Sequence, residues 1–258
     1  EEPTEILYLL GEEERIVGIS GFTVRPKRAR EEKPKVSGFT SANIKKIIEL
    51  KPDLVIGFSD IQAKIAEELI RNGITVLINN HRTVKEILQV IVQIGSLVGK
   101  SERAIQIVQE IQNKIEHVQE IGKNFTRKPK VYFEEWFDPI ITGICWVSEI
   151  VELAGGEDIF QEHRKAHLAK DRILQDGSEV VRRNPDIILV SWCGKEFEKE
   201  KLVTRQNWDQ IQAVRNNFIF EIDSSIILQP GPAALTAGLK EISRIFQNWN
   251  ESQLNQIE

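Results

Sequence analysis

The sequence predicts an α/β protein made of two similar lobes, with mostly parallel sheets and a cleft between the lobes. Two observations predict it. First, one pattern is written twice: residues 47–58 read I-I-E-L-K-P-D-L-V-I-G-F and residues 180–191 read V-V-R-R-N-P-D-I-I-L-V-S. In each copy an apolar-periodic helix stops at Pro-Asp and a β-rich run follows. Proline cannot continue a helix and lacks a donor, so it punctuates the change. The copies fall in different halves of the 258-residue chain. Second, helical and strand patterns alternate throughout, which argues for parallel strands under helical cover.

The elements follow in order. Residues 4–11 read as a short helix, with Pro3 at its N-terminal edge, Thr4 as a cap and Gly11 as its stop. Residues 15–20 read as a strand. Residues 21–35 are polar, with Pro26 and Pro34, and read as a loop. A short strand over 36–39 precedes a helix over 41–50 capped by Ser41, and residues 53–58 form a buried strand. A helix over 61–72 ends at Gly73, and a strand follows over 74–78. Helices are predicted over 83–98 and 101–121. In the second of these Ala104, Val108, Ile111, Ile115 and Val118 make a single apolar stripe. Such a helix is about 30 Å long, enough to act as a stiff connector.

The second lobe opens with a strand over 130–136, and Asp138-Pro139 turns the chain. A helix over 147–154 is closed by Gly155-Gly156. A helix over 178–183, a strand over 187–192, a strand over 218–222 and an amphipathic helix over 233–249 complete it. The predicted domains are an N-terminal lobe over 1–100, the connecting helix over 101–122 and a C-terminal lobe over 123–258.

Composition narrows the function. The chain is 41% hydrophobic and 28% charged, as ordinary globular proteins are. A net charge of −5 provides no basic field for nucleic acid or anionic lipid. Cys145 and Cys193 show no metal-type spacing and read as buried thiols. No apolar run reaches the length of a membrane-spanning helix. The opening E-E-P-T-E is not basic then apolar, so no export signal is visible, and a mature exported chain would read the same. Methionine is absent, so the true start is expected to lie upstream.

In open α/β sheets ligands bind beyond the C-terminal ends of the strands. Those ends carry Phe22, Phe39, Phe58, His81, Glu134, Glu135, Trp136 and Trp192. So many rings suit a large, flat, partly apolar ligand; core packing is the alternative role for some of them. Glu134 and Glu135 are adjacent in a strand and point to opposite faces, so one of them at most serves a given site. Gly99-Lys100-Ser101 resembles the tail of a phosphate loop, but the required earlier glycine is Ile94, so it reads as a helix stop and cap. No G-x-G-x-x-G follows a strand, and no G-x-S-x-G occurs. His163 and His167 would share a helical face, but their run is strongly polar and reads as solvated surface, as does His117.

The motifs T-E-I-L-Y-L-L-G, R-I-V-G-I-S and K-V-S-G-F-T-S-A-N-I-K-K-I-I-E-L-K-P-D-L-V-I resemble the substrate-binding proteins of ABC importers for vitamin B12 and ferric siderophores. V-S-E-I-V-E-L-A-G-G-E-D-I-F and S-E-V-V-R-R-N-P-D-I-I-L-V carry the resemblance through the second lobe. It implies two Rossmann-like lobes joined by one long helix, a ligand between them, small closure and no catalysis. It places Phe22, Phe39, Trp192 and the 226–229 stretch, with Gln229, against the ligand. The implied ligand is cobalamin or a related corrinoid, with a ferric siderophore or haem as the alternative. No intrinsic cofactor or metal is implied. The implied partners are this small-molecule chelate and an ABC permease, and the chain is expected to be a monomer. Family members dock through one glutamate on each lobe; the corresponding positions are Lys45 and Ser178, with Glu179 beside the latter. The expected location is periplasmic or otherwise extracytoplasmic if a signal has been removed. The alternatives are a cytoplasmic corrinoid-salvage protein, an enzyme using Glu134 or Glu135 with His81, and a protein–protein regulator on the same fold.

Overall fold

The computed structural model describes residues 1–255. They form two compact units. The first comprises Glu1–His81 and Lys85–Glu110; the second comprises Arg82–Val84 and the chain from Ile111 onward. The division falls inside one helix.

In the first unit, α1 (Glu2–Leu9) starts two residues earlier than predicted, with Pro3 in its first turn where no backbone donor is needed. The expected strand over 15–20 shrinks to β1 (Ile19–Ser20), because Glu13–Arg15 closes a 3₁₀ turn. The expected loop that follows contains a one-turn helix, α2 (Ala29–Glu32), which buries Ala29 completely. β2 (Lys35–Ser37) pairs parallel with β1. α3 (Ile44–Glu49) is capped by Asn43, whose side chain accepts from the Lys46 amide at 3.0 Å, and not by Ser41.

β3 (Val55–Phe58) and β4 (Val76–Asn79) are a second parallel pair, in register from Val55↔Val76 to Phe58↔Asn79. α4 (Ala63–Arg71) crosses between them. The two pairs are separate two-stranded sheets and not one continuous sheet. α5 (Val84–Leu97) and α6 (Ser101–Lys123) are joined by a turn with Gly99 at φ +72°. They approach closely at Gly95, where a Cβ would lie 2.3 Å from that of Ala104.

The second unit holds one five-stranded sheet. β5 (Lys130–Phe137) pairs antiparallel with β6 (Ile140–Thr142), and parallel with β7 (Glu157–Asp158) and with β8 (Ile187–Val190); β9 (Ile219–Glu221) is parallel to β8. β6 and β7 are too short to show an alternating pattern in sequence. All four residues of β8 are fully buried, as a central parallel strand covered on both faces requires. The helices are α7 (Cys145–Leu153), α8 (Ser178–Arg183), α9 (Lys199–Val203), α10 (Gln212–Arg215) and α11 (Leu239–Leu254). A π-helical turn, Ala234–Gly238, leads into α11.

Tyr132, Phe160, Val180, Leu202, Trp208 and Ile211 pack one side of the core against β8. Val84 joins this unit by donating its amide to Glu149 Oε2 at 2.6 Å. Cys145 is buried as expected, but Cys193 is exposed, because the chain leaves the sheet three residues earlier, at Val190.

Candidate functional site

Four parallel strands of the first unit end in aromatic residues or histidine. Phe22 follows β1 and is 56% exposed. Its loop is rigid: the Phe22 amide donates to Ser20 Oγ at 3.1 Å, and Arg30 Nη1 donates to the Gly21 and Thr23 carbonyls at 2.9 Å each. Phe39 follows β2 and is 43% exposed. The ring of Phe22 lies against Gly38, next to Phe39. Gln62 ties the next loop to this one. Its Nε2 donates to the Phe39 carbonyl at 2.9 Å, and its Oε1 accepts from the Phe58 amide at 2.8 Å.

Phe58 is half-buried and meets His81 edge-on at 5.1 Å. His81 is buried, 3.9 Å from Glu2 Oε1. Between them Ser59 adopts φ +68° and donates its amide to the Asn79 carbonyl at 2.7 Å. This strained residue turns the chain sharply out of β3. The unit thus brings Phe22, Phe39, Phe58 and His81 to its strand ends, with two phenyl rings left facing water. Exposed aromatic residues on braced loops suit ligand recognition.

The strand ends of the second unit are more polar beneath and aromatic above. Glu134 is fully buried and engaged on all sides. It receives Arg205 through both Nη atoms, the Tyr132 hydroxyl at 3.0 Å and Trp192 Nε1 at 3.1 Å. Burial, first, and the Glu134 carboxylate, second, hold the Tyr132 phenol protonated well above its usual range. Glu134 is therefore a buried clamp inside the sheet end.

Glu135 points the other way, as the pleat demands. It pairs with Arg172 at 2.6 and 3.1 Å, and Arg172 is itself 1% exposed. Trp192, expected against the ligand, is 3% exposed and belongs to the core. Its ring is covered by Phe137 at 4.9 Å and Phe197 at 5.2 Å. Trp136 and Phe137 are half-buried at the rim, with Trp136 Nε1 donating to the Asp138 carbonyl at 2.9 Å.

Phe137 and Phe197 escaped sequence reading. Phe137 sits at the end of the aromatic run from Tyr132, and β5 extends far enough to include it because Asp138-Pro139 delays the turn. Gln229 is half-buried in the loop after β9. That loop is held by Trp146 Nε1 on the Ile227 carbonyl at 2.9 Å and rests on the π-helical turn, where a Cβ on Gly238 would lie 2.3 Å from the Ile226 carbonyl oxygen.

His163 and His167 do not share a helix: His163 lies in the 3₁₀ turn Gln161–Lys165, 2.9 Å from Thr142 Oγ1, and His167 follows it. Among the described residues no group of three or more His, Cys, Asp or Glu side chains is placed to hold a metal ion. Among the same residues no helix is long and apolar enough to cross a membrane. Of the docking positions, Lys45 is exposed, 4.0 Å from Glu49, and Glu179 is engaged by Arg182 and Arg183, which hold its carboxyl below the usual range.

Aromatic side chains held on braced loops at the strand ends of α/β units suit the capture of a ligand. Residues 1–226 match the sequence profile of the periplasmic binding protein family, and the chain belongs to that family. It is 28% identical over 254 residues to YvrC of Bacillus subtilis (strain 168), described as an uncharacterized ABC transporter substrate-binding lipoprotein, covering 93% of this chain and 76% of that one. It is 26% identical over 248 residues to the vitamin B12-binding protein of Vibrio parahaemolyticus, covering 95% and 86%. In fold it resembles the periplasmic heme-binding protein RhuT of Roseiflexus sp. RS-1, with a TM-score of 0.82, 20% identity and 96% of each chain covered. It also resembles the vitamin B12-binding protein BtuF of Vibrio cholerae, with a TM-score of 0.75, 21% identity and coverage of 95% and 93%. These relatives are named as binding proteins.

Proposed function

We propose that this chain captures a large metal chelate, a cobalamin-like corrinoid, outside the cytoplasm and delivers it to an ABC permease. The observation that carries the reading is the pair of exposed phenyl rings, Phe22 and Phe39, on loops braced by Arg30 and Gln62. Rings held in place before the ligand arrives lose little entropy on binding and offer flat apolar area. Phe58 and Trp136 extend the aromatic surface of their own units, and Gln229 offers an amide to the ligand's polar rim. The Vibrio relatives are vitamin B12-binding proteins by name, which supports the corrinoid. The relatives' names also support an extracytoplasmic location and an importer as partner.

Haem is the second reading, favoured by the fold likeness to RhuT. We further take the working division to be an N-terminal lobe over 1–100, a helix over 101–122 and a C-terminal lobe from 123. The test is a titration of the purified chain with cyanocobalamin, and separately with haemin, following quenching of its five tryptophans. Saturable one-to-one quenching at micromolar concentration or below is expected for cyanocobalamin. Saturation by haemin alone would replace the corrinoid with haem, and saturation by neither would overturn the reading.

A further inference from the structure

One cation on the aromatic rim of the second unit has no carboxylate partner among the described residues. Lys195 Nζ lies 3.7 Å from the centroid of the Phe137 ring. Phe137 is backed by Trp192, and Trp192 is fixed by Glu134. The lysine is set by its own tight turn: Gly194 adopts φ +74°, and the Lys195 amide donates to the Trp192 carbonyl at 3.2 Å. The neighbouring cations are satisfied. Arg205 is spent on Glu134, Lys201 pairs with Glu198 at 2.7 Å, and Lys199 donates to Asn217 Oδ1. Among the described residues no carboxylate oxygen lies within ion-pairing distance of Lys195 Nζ. An ammonium carries three donors, and a ring face engages its charge without accepting all of them. Lys195 is half-buried as a residue, and the donors that the ring does not take remain for an anionic oxygen, to which a charge-assisted hydrogen bond is strong.

We infer that Lys195 is a specificity residue that selects a chelate bearing an anionic oxygen, carboxylate or phosphate, at its periphery. The inference rests on the chelate-binding reading above and deepens it. The chain as a whole is negative, with a net charge of −5, so it repels such ligands in general. A single ammonium at an aromatic rim, without a carboxylate partner among the described residues, supplies the local exception. It would dock the anionic oxygen of a ligand that meets the rim of this unit.

The experiment uses two ligand pairs in which one member carries the anionic group and the other does not. Cyanocobalamin carries a phosphodiester that dicyanocobinamide lacks, and haemin carries two propionates that its dimethyl ester masks. Binding of all four is measured by tryptophan quenching for the wild type, Lys195→Gln and Lys195→Arg, with melting curves to confirm folding. Expected is a loss of roughly tenfold or more in affinity for the anionic member of the bound pair in Lys195→Gln. The anion-free member should change by less than about twofold, and Lys195→Arg should retain most of the affinity. Equal weakening of both members would mean that the lysine only packs the rim, and no weakening of either would mean that it does not meet the ligand; each overturns the inference while leaving the chelate reading intact. If the wild type binds none of the four, the chelate reading fails and the inference falls with it.

Discussion

Arg205 grips Glu134 with both guanidinium Nη atoms, and the Glu134 side chain is wholly buried. This ion pair lies under the aromatic rim of the second unit. It sets Trp192, which sets Phe137, which carries Lys195. The rim is thus positioned by a buried polar network.

Removing one partner of that pair leaves a buried charge without compensation. Arg205→Ala should lower the unfolding free energy by about 3–5 kcal/mol. Urea denaturation measures this directly. A loss of less than about 1 kcal/mol would show that the pair is dispensable.

Phe39 is the converse case. Its ring is 43% exposed, so truncation leaves no cavity. Phe39→Ala should leave the melting temperature nearly unchanged and weaken cyanocobalamin binding about tenfold, as lost aromatic contact area predicts. Gln62→Ala should weaken binding too, because it releases both the Phe39 carbonyl and the Phe58 amide. Calorimetry showing wild-type affinity in both variants would remove this face from the site.

The two tyrosines give a pH test. Burial, first, and a hydrogen bond to Glu32, second, push Tyr8 up to about 12, and burial pushes Tyr132 well above 10.0. The unfolded chain ionises its tyrosines near 10. Above that pH the folded state holds protons that the unfolded state releases, so stability is intact below about pH 10 and falls as pH rises beyond it. Native protein at about pH 10.5 should show little tyrosinate absorbance near 295 nm, and the same protein in urea should show much more. Equal absorbance in the two states would contradict the burial of Tyr132.

Gly122 lies inside α6, where alanine normally stabilises a helix by about 0.5–1 kcal/mol. Here the sign should reverse. A Cβ at Gly122 would sit 2.8 Å from the Cα of Gly155 and 3.1 Å from the Ala154 carbonyl oxygen. Both are backbone and cannot step aside. Gly122→Ala should destabilise by about 1–3 kcal/mol. A rise in the denaturation midpoint would show that the contact is looser than described.

The alternating α/β order, the long helix from Ser101 and the strands at Val55, Val76, Lys130 and Ile187 were legible because each is long or apolar enough to carry its period in sequence. β6 and β7 were not, since two or three residues hold no period and their pairing is decided by β5. Asn43 displaced Ser41 as a cap because only the geometry of the first turn tells which side chain reaches the Lys46 amide.

The site divided in the same way. Phe22, Phe39 and Trp136 could be read as strand-end rings, because chain order alone puts them there. Which rings face water could not: Trp192 and Phe39 look equivalent in sequence, yet one is 3% exposed and the other 43%. By itself the sequence determined the class of fold, the family and the position of the strand ends, since these depend on local periodicity and chain order. Only the tertiary structure decided that Glu134 is a clamp and that Lys195 faces a ring, with no carboxylate partner among the described residues. Those roles depend on partners far along the chain, Arg205 for the first and Phe137 for the second, and on how much water remains around each charge.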